Sequence, residues 1–197
     1  MIAKPENMQD NPFEHCWDRL TAAVDNRNDP WRTPALATSD ASGPAVRTVV
    51  LRGAEQGCQR LDFHTDCRAQ KVLQINNHED VAWMFYDAFT KEQLRCRGPV
   101  RIHSGDASAL QAWEQLNSVS RLTYAQGPKP GEPWDTNGQG TDRLRDSASQ
   151  ERTAFANFML VRCTVRCMDW LQLGETANVR ILMRPGPQGW LSQRVAP

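Results

Sequence analysis

The chain carries no surplus of either charge: lysine plus arginine and aspartate plus glutamate total 23 each in 197 residues. No global field therefore draws it to nucleic acid or acidic lipid, and its basic residues must act locally. Long apolar runs are missing as well. Stretches such as Thr48 to Leu51 and Phe158 to Val161 fall far short of the ~20 residues that span a bilayer. Residues Met1 to Glu6 contain no apolar core of an export signal, so a cytoplasmic protein is expected. Metal-ligand spacing is absent too. Cys16, Cys58, Cys67 and Cys96 are scattered, and only Cys163 and Cys167 are close, four apart. On a strand they would share a face without forming a zinc knuckle. His15, His64, His78 and His103 are dispersed, so no metal is expected and the thiols read as free, in a reducing compartment. No Ser/His/Asp arrangement, paired carboxylates, Walker loop or Rossmann fingerprint is present, and Gly138-Gln139-Gly140 follows no strand.

What is present suits one domain over residues 1–197, a size that buries roughly 70% of its unfolded surface. Asn11 as cap, Pro12 at the first helical position and Glu14 in the first turn predict a helix over about 11–26. Its apolar stripe is Phe13, Trp17, Leu20, Ala23 and Val24. From Pro34 the rhythm turns to strands: Ala35 to Ser39, Ala45 to Arg52, Arg60 to Thr65, Val81 to Tyr86 and Gln93 to His103. Two helices interrupt them. One is expected from about Cys67 to Asn76, with Ala69, Val72, Leu73 and Asn76 on one side. The other follows Asp106 and carries Ala109, Leu110, Trp113 and Leu116. A polar stretch rich in Gly and Pro, about 126–150, fits either a lid or an unstructured insert. Three strands close the chain: Phe158 to Cys167, Val179 to Arg184 and Gly189 to Val195. About eight strands with few helices point to a mainly β fold, an antiparallel barrel with flanking helices.

The chemistry concentrates in two segments, Arg47-Thr48-Val49-Val50-Leu51-Arg52 and Phe63-His64-Thr65-Asp66-Cys67-Arg68-Ala69-Gln70-Lys71. Thr65 or Asp66 is expected to cap the second segment's helix, whose free amides and dipole attract an anion. Arg68 and Lys71, three apart, add charge on one side, and Arg47 can fork onto two phosphate oxygens. Taken alone, the second segment also fits an ordinary capped surface helix with solvated charges; the two segments together make a phosphate-bearing cofactor the leading reading. Along the first segment Arg47, Val49 and Leu51 share one face, and Thr48, Val50 and Arg52 the other. A flat heteroaromatic ring could lie against that backbone, and the Gln93 amide can both donate and accept, as the mixed edge of a flavin ring requires. Trp170 and Arg180 are a further stacking and hydrogen-bonding pair, although tryptophan is equally a common filler at a sheet edge.

Taken in order, these pieces resemble the FMN-binding pyridoxamine 5'-phosphate oxidase-like family, a split antiparallel β-barrel. The resemblance runs from Asp29 to Pro197 through Arg47 to Arg52, Phe63 to Asp66 with Lys71, Val81 to Asp87, Glu92-Gln93-Leu94-Arg95 with Gly98, Ser120-Arg121, Trp170, Arg180 and the terminal Arg194-Val195-Ala196-Pro197. It implies that Arg47, Thr65 and Lys71 hold the FMN phosphate, with His64 beside them and Gln70 where relatives often have arginine. It implies that the backbone of Arg47, Thr48, Val49, Val50, Leu51 and Arg52, with the Gln93 side chain, holds the ring, and that Trp170 and Arg180 complete the pocket. A homodimer with FMN at its interface follows from the same resemblance.

Departures gather around the substrate. The oxidases end the first motif in lysine, and here it is Arg52. Their arginine and histidine between the tryptophan and the final arginine correspond to Thr176 and Asn178, and the tyrosine and serine of their substrate-phosphate group to Asn117 and Ala125. Only Arg121 matches, so Arg52 and Arg121 are the expected substrate anchors. The resemblance thus implies an FMN-dependent oxidoreductase with an altered substrate site, and no side chain is singled out as acid or base. A non-catalytic flavin-binding or carrier protein is the rival.

Overall fold

A computed structural model describes residues 11–125, 128–133 and 147–197. Most of the polar stretch expected at 126–150 lies outside them. The chain opens with helix α1, Pro12–Asp25. Strands β1 (Ala35–Asp40), β2 (Gly43–Thr48), β3 (Leu51–Glu55) and β4 (Arg60–Asp66) follow. Helix α2 (Gln70–Asn77), β5 (Asp80–Asp87) and the long β6 (Glu92–His103) come next. Helices α3 (Ala107–Glu114), α4 (Ser118–Leu122) and α5 (Ser147–Asn157) precede β7 (Phe158–Thr164), β8 (Cys167–Gln172), β9 (Val179–Gly186) and β10 (Gly189–Val195).

All the strand pairings are antiparallel. One path runs β10-β9-β8-β6-β5-β1-β2, and a second runs β3-β4-β7 and rejoins at β6. The lower half of β6 pairs with β8, Glu92 to Arg97, and its upper half with β7, Val100 to His103. The switch occurs at Gly98, where a Cβ would lie 1.9 Å from the Thr164 carbonyl oxygen. Only glycine lets the two backbones come that close.

This architecture divides two stretches expected as single strands. Ala45 to Arg52 breaks at Val49–Val50, so β2 stays in the first path and β3 starts the second. The facial alternation survives the break: Val49 and Leu51 are buried while Thr48 and Val50 are exposed. Phe158 to Cys167 likewise breaks at Val165–Arg166, which separates Cys163 from Cys167 onto different strands. Trp170 therefore lies within β8 rather than after a long strand. Helices α4 and α5 were not expected. Leu73 and Leu110, assigned to buried faces from their spacing, are 67% and 46% exposed.

The core between the paths is aromatic. Trp83 stacks on Phe85 with centroids 6.0 Å apart, Phe63 meets Trp83 edge-on at 5.5 Å, and Trp31 leans on Phe85. Helix α1 closes one end of the barrel with Cys16, Trp17, Leu20 and Ala23, all buried. Its start is as expected, with the Asn11 side chain accepting from the Glu14 amide. A polar cluster fastens the helix. Arg19 donates to Glu92 at 2.7 Å and to Asp87 at 2.6 Å, while His15 and the Trp170 indole reach Glu92 at 2.7 and 2.6 Å. Burial pushes Glu92 upward, but the bonds from His15 and Trp170 and the charges of His15 and Arg19 outweigh it, leaving its carboxyl below the usual range.

Two outcomes follow for stability. Gly98→Ala forces the Thr164 carbonyl away from β6 and should cost about 3 kcal/mol or more, measured by urea unfolding. Glu92 has a folded pKa below its unfolded value of about 4.3, so its stabilisation is present above that pH and is lost as pH falls through the folded value. Glu92→Gln should lose roughly 1.5–3 kcal/mol at pH 7 and make the stability drop below about pH 4 shallower. The drop should persist in part, because Asp87 is depressed in the same sense.

Candidate functional site

Alternation sorts the first path into two faces. Leu36, Trp83, Cys96, Leu94 and Trp170 are buried and match one another across the pairs Leu36↔Trp83, Trp83↔Cys96 and Leu94↔Trp170. They mark the interior. Arg47 pairs with Leu36 and belongs to that inner side. The row Tyr86↔Gln93↔Leu171↔Arg180 lies on the outer side.

On the inner side, α2 packs against β1 and brings three of the expected phosphate ligands together. The Lys71 ammonium lies 3.2 Å from Thr65 Oγ1. Arg47 donates to Thr38 Oγ1 at 2.6 Å and to Gln74 Oε1 at 2.9 Å, and Gln74 is held by Thr38 and by Asp40. Burial, and then the charge of Arg47, hold the Lys71 ammonium below the ordinary lysine value, with Asp66 pulling the other way. Burial lowers Arg47 as well. Neither cation has a carboxylate in ion-pair contact among the described residues; Arg47 spends its bonds on neutral oxygens.

The helix start differs from expectation. Thr65 and Asp66 remain in β4, paired to Met159 and Phe158 of β7, and the cap position falls to Ala69. Asp66 instead binds the Arg68 amide at 2.8 Å and its guanidinium at 2.7 Å, which removes Arg68 from phosphate duty. Alanine cannot cap, and α2 has no side-chain cap bond. The Val72 amide turns back on the Ala69 carbonyl at 2.9 Å, and the amides of Gln70 and Lys71 before it are left for another acceptor. A phosphate satisfies both deficits, the two uncompensated cations and the uncapped amides, so the residues present fit the FMN phosphate. Gln70 is exposed at the helix start.

The other expected residues are placed elsewhere. Gln93 and Arg180 lie on the outer face, opposite Arg47. Arg180 is clamped on Asp169 through two bonds of 3.0 and 2.9 Å, and Arg95 binds the same carboxylate. Trp170 does not join them, because its indole is 3% exposed and bonded to Glu92 in the barrel interior. His64 faces away from the cradle, since Thr65 next to it faces in; burial and then the charge of Arg52 push its imidazole down to about 3. The anchors Arg52 and Arg121 also part. Arg52 lines a cavity with His64, whereas Arg121 pairs with Glu151 at 2.7 Å and lies over the Trp113 ring. Thr38 and Gln74, which orient Arg47, were missed. The spacing Ala69, Val72, Ile75 is the signal that turns α2 this way.

Ala69→Ser should supply the missing cap. The ligand-free protein should gain about 1 kcal/mol in urea unfolding, while titration should show weaker binding of a phosphate-bearing nucleotide.

Residues 14–104 match the family model described as pyridoxamine 5'-phosphate oxidase, FMN-binding domain. Pyridoxine/pyridoxamine 5'-phosphate oxidase 2 of Arabidopsis thaliana is 29% identical over 177 residues, covering 82% of this chain and 85% of that one. The crystal structure of a pyridoxamine 5'-phosphate oxidase-related, FMN-binding protein from Nostoc punctiforme superposes with a TM-score of 0.72 at 27% identity, covering 94% of this chain and 97% of that one. PhzG from Burkholderia lata, in complex with tetrahydrophenazine-1-carboxylic acid, shares the fold with a TM-score of 0.70 at 15% identity over 100% and 98% of the two chains. Among the described residues no helix is long and apolar enough to cross a membrane. With the cradle described above, these findings show that the chain resembles the pyridoxamine 5'-phosphate oxidase-like, FMN-binding split barrels over most of its length, and that FMN is the cofactor the resemblance supports.

Proposed function

We propose that the protein is an FMN-dependent oxidoreductase whose substrate differs from that of the oxidases it resembles. The carrying observation is the cradle: two partly buried cations with no carboxylate in ion-pair contact among the described residues, beside a helix start that alanine leaves uncapped. Arg47, Thr65, Lys71 and the first α2 amides would hold the phosphate, and the backbone of residues 47–52 would support the ring. FMN held there would supply two-electron redox chemistry between a reduced substrate and oxygen or another acceptor. The side chains contribute binding and orientation, and none is assigned as acid or base.

A homodimer is part of this reading. Gln93 and Arg180 sit on the face opposite the cradle, so one chain does not gather every expected contact. The same outer face exposes Val46 at 68%, Met84 at 44% and Tyr86 at 44%, an apolar surface that a second copy would cover. The six unpaired cysteines suit a reducing compartment, and we place the protein in the cytoplasm.

The altered substrate site rests on where the departing residues are employed. Asn117 caps α4 by accepting from the Ser120 amide at 2.8 Å, and Asn178 accepts from the Gly174 amide at 3.2 Å. Both serve the backbone. Arg121, engaged with Glu151, favours the second reading, a flavin carrier without small-molecule turnover.

Arg47→Ala combined with Lys71→Ala should abolish co-purified flavin absorbance while leaving circular dichroism and the unfolding midpoint near wild type. Stoichiometric flavin in the double variant would contradict the cradle. Oxygen consumption with pyridoxamine and pyridoxine phosphates should be negligible, and appreciable turnover of either would refute the altered substrate site. Reduction of the bound flavin by artificial donors alone would favour the carrier.

A further inference from the structure

On the outer face of β3, β4 and β7, beneath α3, lies a cavity of about 260 Å3 whose wall includes Arg32, Arg52, Arg60, Arg162, Asp62 and His64. Arg60 and Arg162 both approach Asp62 Oδ2, at 3.4 and 3.3 Å, and Arg60 also pairs with Glu55. Their charges are largely met. Arg32 and Arg52 differ. Arg32 donates to the Val24 carbonyl, and its guanidinium is held below its ordinary value by burial and then by the charge of Arg52. Neither has a carboxylate in ion-pair contact among the described residues. His64 Nδ1 and Asp62 Oδ1 are both buried without a hydrogen-bond partner among the described residues.

We propose that this cavity is a second anion site, built for a small dianion. Four guanidiniums share this wall with one carboxylate, Asp62, and Arg32 feels the repulsion of Arg52; an occupant of charge −2 offsets the excess of positive charge. Arginine forks match the paired oxygens of phosphates and carboxylates. The volume falls just under the roughly 300–1,000 Å3 of ordinary ligand pockets, so the occupant is small: a phosphate monoester or a short dicarboxylate.

The site is separate from the nucleotide cradle. His64 and Thr65 are consecutive on β4 and face opposite sides, so the two anion sites stand back to back across that strand. It also differs from the substrate-phosphate positions implied by the family, because Asn117, Arg121 and Ala125 do not line it. Arg52 is the shared residue. The inference stands without the flavin reading, since Arg32, Arg60, Arg162 and Asp62 take no part in the cradle.

The test is calorimetric titration of the FMN-loaded protein with inorganic phosphate and, separately, with succinate, each against sodium chloride at equal ionic strength. Saturable binding of either is expected, and the tighter one identifies the class. Arg32→Gln, which removes a donor, and Ala112→Leu, which fills the cavity from α3, should each weaken it at least tenfold with flavin absorbance unchanged. The inference is overturned if neither anion binds beyond the chloride control, or if both variants bind as wild type. It also fails if binding is lost only with the Arg47→Ala and Lys71→Ala pair, because the anion would then occupy the cradle. That pattern leaves the flavin reading intact, whereas a colourless protein whose anion binding still responds to Ala112→Leu sinks the flavin reading alone.

Discussion

The backbone of β6 touches the corner between β7 and β8 at Gly98, and through that contact a single strand belongs to both halves of the barrel. Below it β6 takes β8 as neighbour, and above it β7. The corner is tied by the Arg166 amide on the Arg97 carbonyl at 2.8 Å and the Val165 amide on Gln59 at 2.8 Å. Because both paths diverge from this line, the distance between β2 and β4 is set there. α2 bridges that gap, bringing Lys71 to Thr65 on one side and Gln74 to Arg47 on the other. A contact between two peptide units thus positions a cradle that neither of them lines.

Arginines occupy three electrostatic situations in this molecule. Arg180 is fully engaged with Asp169, and Arg19 is shared between Glu92 and Asp87; both serve the architecture. Arg47 is oriented by neutral oxygens from Thr38 and Gln74, which aim the guanidinium without cancelling its charge. Such an arrangement is costly in an empty protein and favourable with an anion present. Arg32, which donates to the Ala23 and Val24 carbonyls, repeats this condition at the end of α1.

Much of the barrel was legible in the sequence because a strand with one face in the core must alternate, as from Ala35, Val81 and Gln93 onward. The breaks at Val49–Val50 and Val165–Arg166 were not, since alternation continues across them and only long-range pairing decides where the chain changes sheet. The start of α2 was obscured in the same way: Thr65 and Asp66 are better caps than Ala69, but pairing with β7 keeps them extended. That Arg47, Thr65 and Lys71 come together was legible from residue type and spacing. Gln74 was not, because its burial depends on three partners on distant segments. The position of Trp170 was beyond reach for the same reason, as its indole answers to Glu92 and so to a helix more than a hundred residues earlier.

That helix gives the chain an unequal sensitivity at its two ends. The last strand is a sheet edge, and its Trp190 ring stacks on Phe13 of α1 at 4.9 Å. Trimming the tail would expose modest surface and free a ring. A chain begun beyond Asp25 would leave the barrel mouth open over Leu51 and Met168, and strand two carboxylates there with no cation to answer them. Proteolytic erosion from the front should therefore destroy the whole molecule, while erosion from the back should leave most of it standing.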